Sequence, residues 1–363
     1  MVSNEKQIFL FTGSYTKRNE YGLRVFTFHT ETGEMNLLHE VAEKNASFLD
    51  INEKTGYLYC TAEMPEKSGQ GAVAAYRIDP SDGSLTFVNR QPAAGGRPTY
   101  VRLDGSGRFV LAANYGSGNV NLYPLDDQQK LLPMSDLHHH SGSGPNRERQ
   151  DGPHPHCIMQ DAHNRYVFVP DLGIDQVVVY KLDLVNQKLI PHDSVSAPAG
   201  SGPRHIVFHP NGSFAYVVNE LDATVSVFRY QADEGKLTAL QHEPSLPDDF
   251  KGENTAAEIR ISPDGHYLYM SNRGADNITV FQVDPEQGTI ERVGSVDCGG
   301  RTPRNFNLSP DGRFLVCGNQ DSDNVVVFRI DPQNGIPEQT GLVYDVPEAV
   351  CIRFYDTSSL QNG

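Results

Sequence analysis

The sequence predicts an all-β fold, a seven-bladed β-propeller with four antiparallel strands per blade. Three observations predict it. A unit of about 50 residues repeats along the chain, each copy spelling strand, Asn-Gly or Asp-Gly turn, strand, polar loop, strand, Gly turn, strand. Short apolar runs align as the second strand of successive copies, and the two ends of the chain are incomplete in complementary ways. The clearest copies begin at Pro203 (PRHIVFHPNGSFAYVVNELDATVSVFRY), Ala257 (AEIRISPDGHYLYMSNRGADNITVFQV) and Pro303 (PRNFNLSPDGRFLVCGNQDSDNVVVFRI). Looser copies begin near Ser47, Pro98 and Pro155.

Taken in chain order, the first copy enters directly on Gln7-Ile-Phe-Leu-Phe, with no strand before it. Its Ile8-Phe-Leu-Phe run is followed by second strands at Tyr57-Leu-Tyr-Cys, Phe109-Val-Leu-Ala, Tyr166-Val-Phe-Val, Phe214-Ala-Tyr-Val, Tyr267-Leu-Tyr-Met and Phe314-Leu-Val-Cys, which makes seven blades. These runs are apolar at nearly every position because neighbouring blades cover both faces of such a strand. Third strands such as Thr224-Val-Ser-Val-Phe alternate more, which predicts less complete burial further from the axis. Asn211-Gly212, Asp264-Gly265 and Asp311-Gly312 supply hairpin turn chemistry on one rim. Ala93-Ala-Gly-Gly-Arg97 lacks the Gly-Lys-Ser/Thr ending of a phosphate loop and precedes a strand, so it reads as a blade connection. Residues 138–153, from His138-His-His140 through SGSGPNRERQDG, form a long polar insertion between blades three and four. The spare segment Ala349-Val-Cys-Ile-Arg-Phe-Tyr fits the missing innermost strand of blade one. It predicts a ring closed by the C-terminal strand joining the N-terminal blade.

A continuous repeat over 363 residues, with no long linker or charge block, predicts a single domain, 1–363. No apolar run approaches the roughly 18 residues of a membrane span, and the start MVSNEKQIFLF lacks a signal-peptide layout, so a cytoplasmic protein is expected. The five cysteines are an odd number, and Cys60 and Cys317 share one second-strand position, which reads as core packing. A net charge of −16 argues against nucleic acid and anionic membrane surfaces as partners. Oligomeric state is left open.

Against that acidic background, one rim gathers residues that hairpin physics does not require. In an antiparallel meander, the loop after the second strand and the connection into the next blade lie at the same end. Gly152-Pro-His-Pro-His156, Gly202-Pro-Arg204-His205, Pro303-Arg304, Asn219-Glu220 and Asn272-Arg273 therefore converge. Asn114-Tyr115 and Asp171 occupy comparable places, and Glu258 lies on the inner strand of blade six. The expected pocket has Arg204, Arg273 and Arg304 as anion-binding groups and His156 and Glu220 as proton-transfer candidates. His154, His205, Asn114, Tyr115, Asp171, Asn219 and Glu258 are expected around the substrate. Plainer roles stand beside these: a His or Arg at a blade entrance can bond carbonyls of the next blade, and Glu220 can be the ion partner of Arg204 or Arg273. The adjacent histidines of the insertion lack the fixed spacing of a zinc motif, so no metal and no cofactor are expected.

At these residues the chain resembles the seven-bladed lactonase family, which groups propeller-type 6-phosphogluconolactonases with fungal carboxy-cis,cis-muconate cyclases. GPHPH at 152, GPRH at 202, NEL at 219, SPDG and SNRG at 262 and 271, and PRNF at 303 carry the resemblance over essentially the whole chain. It implies a metal-independent enzyme that opens or closes a sugar-acid or muconate lactone, with His156, Arg204, Glu220 and Arg273 matching the family's site. The substrate it implies is a small anionic lactone, foremost 6-phospho-D-glucono-1,5-lactone of the pentose phosphate pathway. The expected roles are His156 or Glu220 as the base, Arg204 on the oxyanion, and Arg273 with Arg304 on the phosphate. The alternatives are a muconate-type cyclase, a lactonase for an unphosphorylated sugar acid, and a non-enzymatic scaffold. The scaffold would present aromatic anchors on its rim, and this chain has no Trp.

Overall fold

A computed structural model describes residues 7–64, 70–247 and 249–360. The first six residues, on which the leaderless reading partly rests, lie outside the described residues. Strands that read as second and third members of each repeat form hairpins, and 28 strands among the described residues make seven four-stranded antiparallel sheets. From blade one to blade seven the innermost strands are Ala349–Asp356, Leu49–Asn52, Pro98–Leu103, Met159–Gln160, Pro203–Phe208, Thr255–Ile261 and Pro303–Leu308. The ring closes as expected: Ala349–Asp356 lies antiparallel to Ile8–Ser14, with Phe9 opposite Tyr355, Phe11 opposite Arg353 and Gly13 opposite Cys351.

The unbroken apolar runs have a direct packing cause. In Phe214–Asn219 every residue is buried, yet successive side chains enter different layers. Phe214, Tyr216 and Val218 pack with Leu268 and Met270 of blade six, while Ala215 and Val217 join Val167 and Phe168 of blade four. The third strand departs from its expectation. Thr224–Gln231 is buried from Thr224 through Phe228, only Arg229 and Gln231 at its end are exposed, and exposure becomes general at the fourth strand, Lys236–Pro244. Its polar Thr224 and Ser226 are buried because both accept hydrogen bonds from the Asn219 amide, 2.9 Å each, so alternation there reports an internal polar ladder and not a solvent face. All five cysteines are buried and free.

The insertion begins later than the sequence suggests. Asp136–His139 forms the outermost strand of blade three, with His138 opposite Val120, because Asp136 binds both the His138 ring and the Leu189 backbone N–H of blade four. The connection proper starts at His140, whose ring is clamped between Asp171 and the Tyr180 hydroxyl at 2.6 and 2.9 Å. Ala93–Arg97 connects blades two and three. Among the described residues, no helix is long and apolar enough to cross a membrane.

Candidate active site

The site is built by a register slip that recurs at the mouth of the inner strands. Pairing with the second strand shifts by one residue between Pro98 and Tyr100, between Pro203 and His205, and between Pro303 and Asn305. The extra residues are Thr99, Arg204 and Arg304. A bulge of this kind re-aims the side chain of the unpaired residue, and proline is tolerated at the first position of a strand. Blade four does the same less regularly. Pro155 bridges Asp171 while Met159 already pairs with Phe168, and His156 falls inside the slip.

These side chains meet in a cavity of about 410 Å³ on the rim opposite the Asn-Gly and Asp-Gly hairpins. His156, Glu220, Arg273, Arg304 and Tyr115 line it, as expected, and a narrow neck below is shared by His156, Arg304, Arg204 and His205. Phe48 and Tyr100, stacked at 3.8 Å with His205 edge-on to both, close the floor. A larger concavity of about 720 Å³ lies on the hairpin rim. Its acids serve local structure: Asp104 accepts from the backbone N–H groups of Ser106, Arg108 and Phe109, and Asp50 pairs with Arg102. No histidine among the described residues lines it, which leaves the smaller cavity as the candidate site.

Two buried ion clusters organise the cavity. Glu220 is gripped by three guanidiniums: Arg204 Nε at 2.9 Å, Arg273 at 3.0 Å, and Arg149 of the insertion. Burial alone would raise its pKa, but Arg273, Arg204 and Arg149 outweigh burial and hold the carboxyl well below its usual range. Arg204 is itself pushed down to about 9, chiefly by burial. Below, Glu258 is held at about 2: burial opposes ionisation, and Arg260, His205 and Arg353 overcome it. Glu258 accepts from Arg260 at 2.6 Å and from the Asn305 amide.

The ionised Glu258 fixes a chain of tautomers. As an acceptor only, it takes a hydrogen bond from His205 Nδ1 at 2.9 Å, which leaves His205 Nε2 as an acceptor. His205 Nε2 faces the Arg204 guanidinium, which can only donate, at 3.3 Å and His156 Nδ1 at 3.2 Å, and with Nε2 an acceptor the contact between the two rings is a hydrogen bond only with His156 as donor. The lone pair of His156 is thereby assigned to Nε2, on a ring that lines the cavity. Burial, with Arg204, His205 and Arg304 nearby, drives the His156 pKa well below the ordinary imidazole value, and burial pushes His205 down to about 4. Both rings are neutral at neutral pH.

Five expected contact residues do not line the cavity. Asn114 and Asn219 are fully buried and turn back to their own loops, Asn114 onto Asn119 at 2.6 Å and onto Asn121. Asp171 is equally buried, accepting from the backbone N–H of His154 and Gly173 and binding His140. His154 stacks on Tyr115 at 4.3 Å and supports that wall from behind. Glu258 acts from beneath, through His205. Sequence reasoning passed over Tyr15, Lys17, Arg97 and Arg149, all of which line the cavity. Tyr15 and Lys17 follow the second strand of blade one, where Glu220 sits in blade five, so the same topological rule would have found them. Arg149 carried no such signal, because an irregular insertion has no repeat register. Among the described residues, no three His, Cys, Asp or Glu side chains are grouped to hold a metal ion.

Residues 9–354 match the model of the lactonase family, described as a seven-bladed β-propeller. The chain belongs to that lactonase family. The 6-phosphogluconolactonase of Bacillus subtilis is 37% identical over 298 residues, 82% of this chain and 83% of that protein. The 6-phosphogluconolactonase of Formosa agariphila is 35% identical over 304 residues, 82% and 85% of the two chains. The structure of a periplasmic gluconolactonase from Pseudomonas aeruginosa superposes with a TM-score of 0.90 at 32% identity, covering 96% of this chain and 99% of that one. Family membership makes a small cyclic ester the class of substrate. The lining of the cavity accords with such an enzyme, offering cations for an anionic substrate and a neutral imidazole for water.

Proposed function

We propose that the protein hydrolyses the ring ester of a sugar-acid lactone, 6-phospho-D-glucono-1,5-lactone to 6-phospho-D-gluconate, and acts in the cytoplasm without a metal. The observation that carries this reading is the neutral His156 beside unpaired positive charge: Arg304 lines the cavity and its neck with His156, its guanidinium 5.5 Å from the Tyr15 ring centre and, among the described residues, paired with no carboxylate.

The lactone carbonyl points into the neck. His156 Nε2 takes a proton from water as the water oxygen attacks the carbonyl carbon. Negative charge builds on the carbonyl oxygen, where Arg204 and Arg304 stabilise it in a cavity floored by aromatic rings. When the ring C–O bond breaks, the departing alkoxide recovers the proton from His156, giving the hydroxy acid. No covalent enzyme intermediate is needed, and the guanidiniums do the charge stabilisation that a metal performs elsewhere. Glu220 is a poor base, since protonating it would strip three cations of their partner. It positions Arg204 and Arg273. An unphosphorylated gluconolactone is the second reading, favoured by the Pseudomonas aeruginosa relative.

The test is stopped-flow acid release from freshly generated 6-phosphogluconolactone and from glucono-1,5-lactone, each against spontaneous opening. The protein should accelerate the phosphorylated lactone, equally with and without a chelator. Arg204→Ala and His156→Gln should each lose about 10²–10⁴-fold of that acceleration. No acceleration of either lactone by the intact protein would end the proposal.

A further inference from the structure

The cavity has two halves that differ in how their cations are engaged. Arg273 and Arg149 spend their charge on Glu220, and Arg273 also donates to the Ala256 carbonyl at 2.7 Å. Arg204 and Arg304 reach the neck. Two cations line the outer cavity alone and have, among the described residues, no carboxylate within ion-pair distance: Lys17 after the second strand of blade one and Arg97 at the entrance to blade three. We propose that Lys17 and Arg97 form the subsite for the phosphate of a phosphorylated sugar lactone, and so set the preference for a phosphorylated over a neutral substrate. The proposal rests on the lactonase reading above and moves the phosphate away from Arg273.

Both groups are placed by features that a solvated surface cation does not need. The Lys17 ammonium lies 5.7 Å from the centre of the Tyr15 ring that also braces Arg304, which ties it to the wall leading down to the neck. Arg97 adopts a left-handed backbone, φ +54°, between Gly96 and Pro98. That conformation is locked from behind, because Gly71 packs so tightly that a Cβ there would meet Pro98 Cδ at 2.2 Å and Arg97 N at 3.1 Å. The same left-handed backbone precedes Pro203 at Gly202, φ +65°, and Pro303 at Thr302, φ +62°, so the blade entrance itself fixes where Arg97 stands. The one acid on this wall is already neutralised: Glu63 pairs with Lys44 at 2.8 Å and accepts from the Asn45 amide at 2.6 Å. A phosphate of nearly two negative charges therefore meets a guanidinium fork and an ammonium with no free carboxylate against it.

The test reads a specificity ratio. The kcat/KM for 6-phosphogluconolactone is divided by that for glucono-1,5-lactone, in the intact protein and in Lys17→Gln, Arg97→Asn and the double variant. Both residues are exposed, and Asn tolerates the left-handed backbone at 97. Each single change should lower the ratio about tenfold and the double change about a hundredfold, with Arg97→Lys recovering part of the loss. An unchanged ratio in the double variant overturns the subsite while leaving the lactonase reading intact. Should the intact protein hydrolyse neither lactone, that reading falls, and calorimetric binding of 6-phosphogluconate against gluconate decides the subsite alone. A preference for the phosphorylated acid that the double variant loses supports it; equal binding of both acids, or a preference the variant keeps, overturns it.

Discussion

At the scale of single residues, the decisive group is Glu258, which never meets substrate yet settles which nitrogen of His156 carries the lone pair. The charge of Glu258 passes through His205 to His156 as a choice of tautomer, over two bonds of 2.9 and 3.2 Å. A pH profile follows from the depressed His156. A general base works only while deprotonated, so activity is full above its pKa and lost as pH falls through it. Because burial and the nearby Arg204 lower that pKa, the acid limb of kcat/KM should lie below the ordinary imidazole value of about 6.5. In His156→Gln that limb should vanish, leaving a low, flat rate, and a limb that survived the substitution would pass the proton to another group. His156 and Arg204 were legible in sequence because a His or Arg after a blade-entry proline has no turn to make. Asn114 and Asn219 misled for the opposite reason. A polar residue ending a strand can face a cavity or fold back on its own loop, and only the partners, Asn119 and Asn121 or Thr224 and Ser226, decide.

At the scale of elements, blade-to-blade seating explains why the repeat is so regular. The outer hairpin of blade six turns at Gly288 with φ +75°, and a Cβ there would come within 2.2 Å of the Phe214 ring, the first residue of the second strand of blade five. Gly335 of blade seven sits in the same way on Tyr267 of blade six. The aromatic that opens a second strand and the glycine of the next blade's outer turn are therefore one lock, written about 70 residues apart. Gly288→Ala should combine backbone strain with a ring displacement and destabilise by about 2–4 kcal/mol. Gly212→Ala, at φ +73° with nothing within 4 Å, should cost about 1 kcal/mol. Denaturant midpoints of the two variants check the difference, and equal shifts would remove the packing half of the argument. The strands were readable because period and hairpin chemistry repeat. The bulges that aim Thr99, Arg204 and Arg304 were not, since a one-residue slip leaves no mark on composition and shows only when both strands are paired.

For the molecule as a whole, the acidic ring and its cationic mouth belong to one design. Net charge is −16, yet Lys17, Arg97, Arg149, Arg273 and Arg304 line a single cavity against Glu63 and Glu220, so this mouth attracts anions against the background of the ring. Those residues come from blades one, three, six and seven and from the insertion, and nothing but the closed ring brings them together. Closure rests on the seam between Ala349–Asp356 and Ile8–Ser14, where Cys351, Ile352 and Tyr355 are buried. Without that strand, Ile8–Ser14 becomes an open inner edge with unpaired backbone groups beside an unfilled wedge of core. A chain ending at Glu348 should lose lactonase activity and unfold over a broad range at lower denaturant, because blade one would no longer report to blade seven. Adding a synthetic peptide of residues 349–360 should recover part of both if the seam alone is missing. A truncated chain that kept one sharp transition at the original midpoint would show that the other six blades hold the ring without its closing strand.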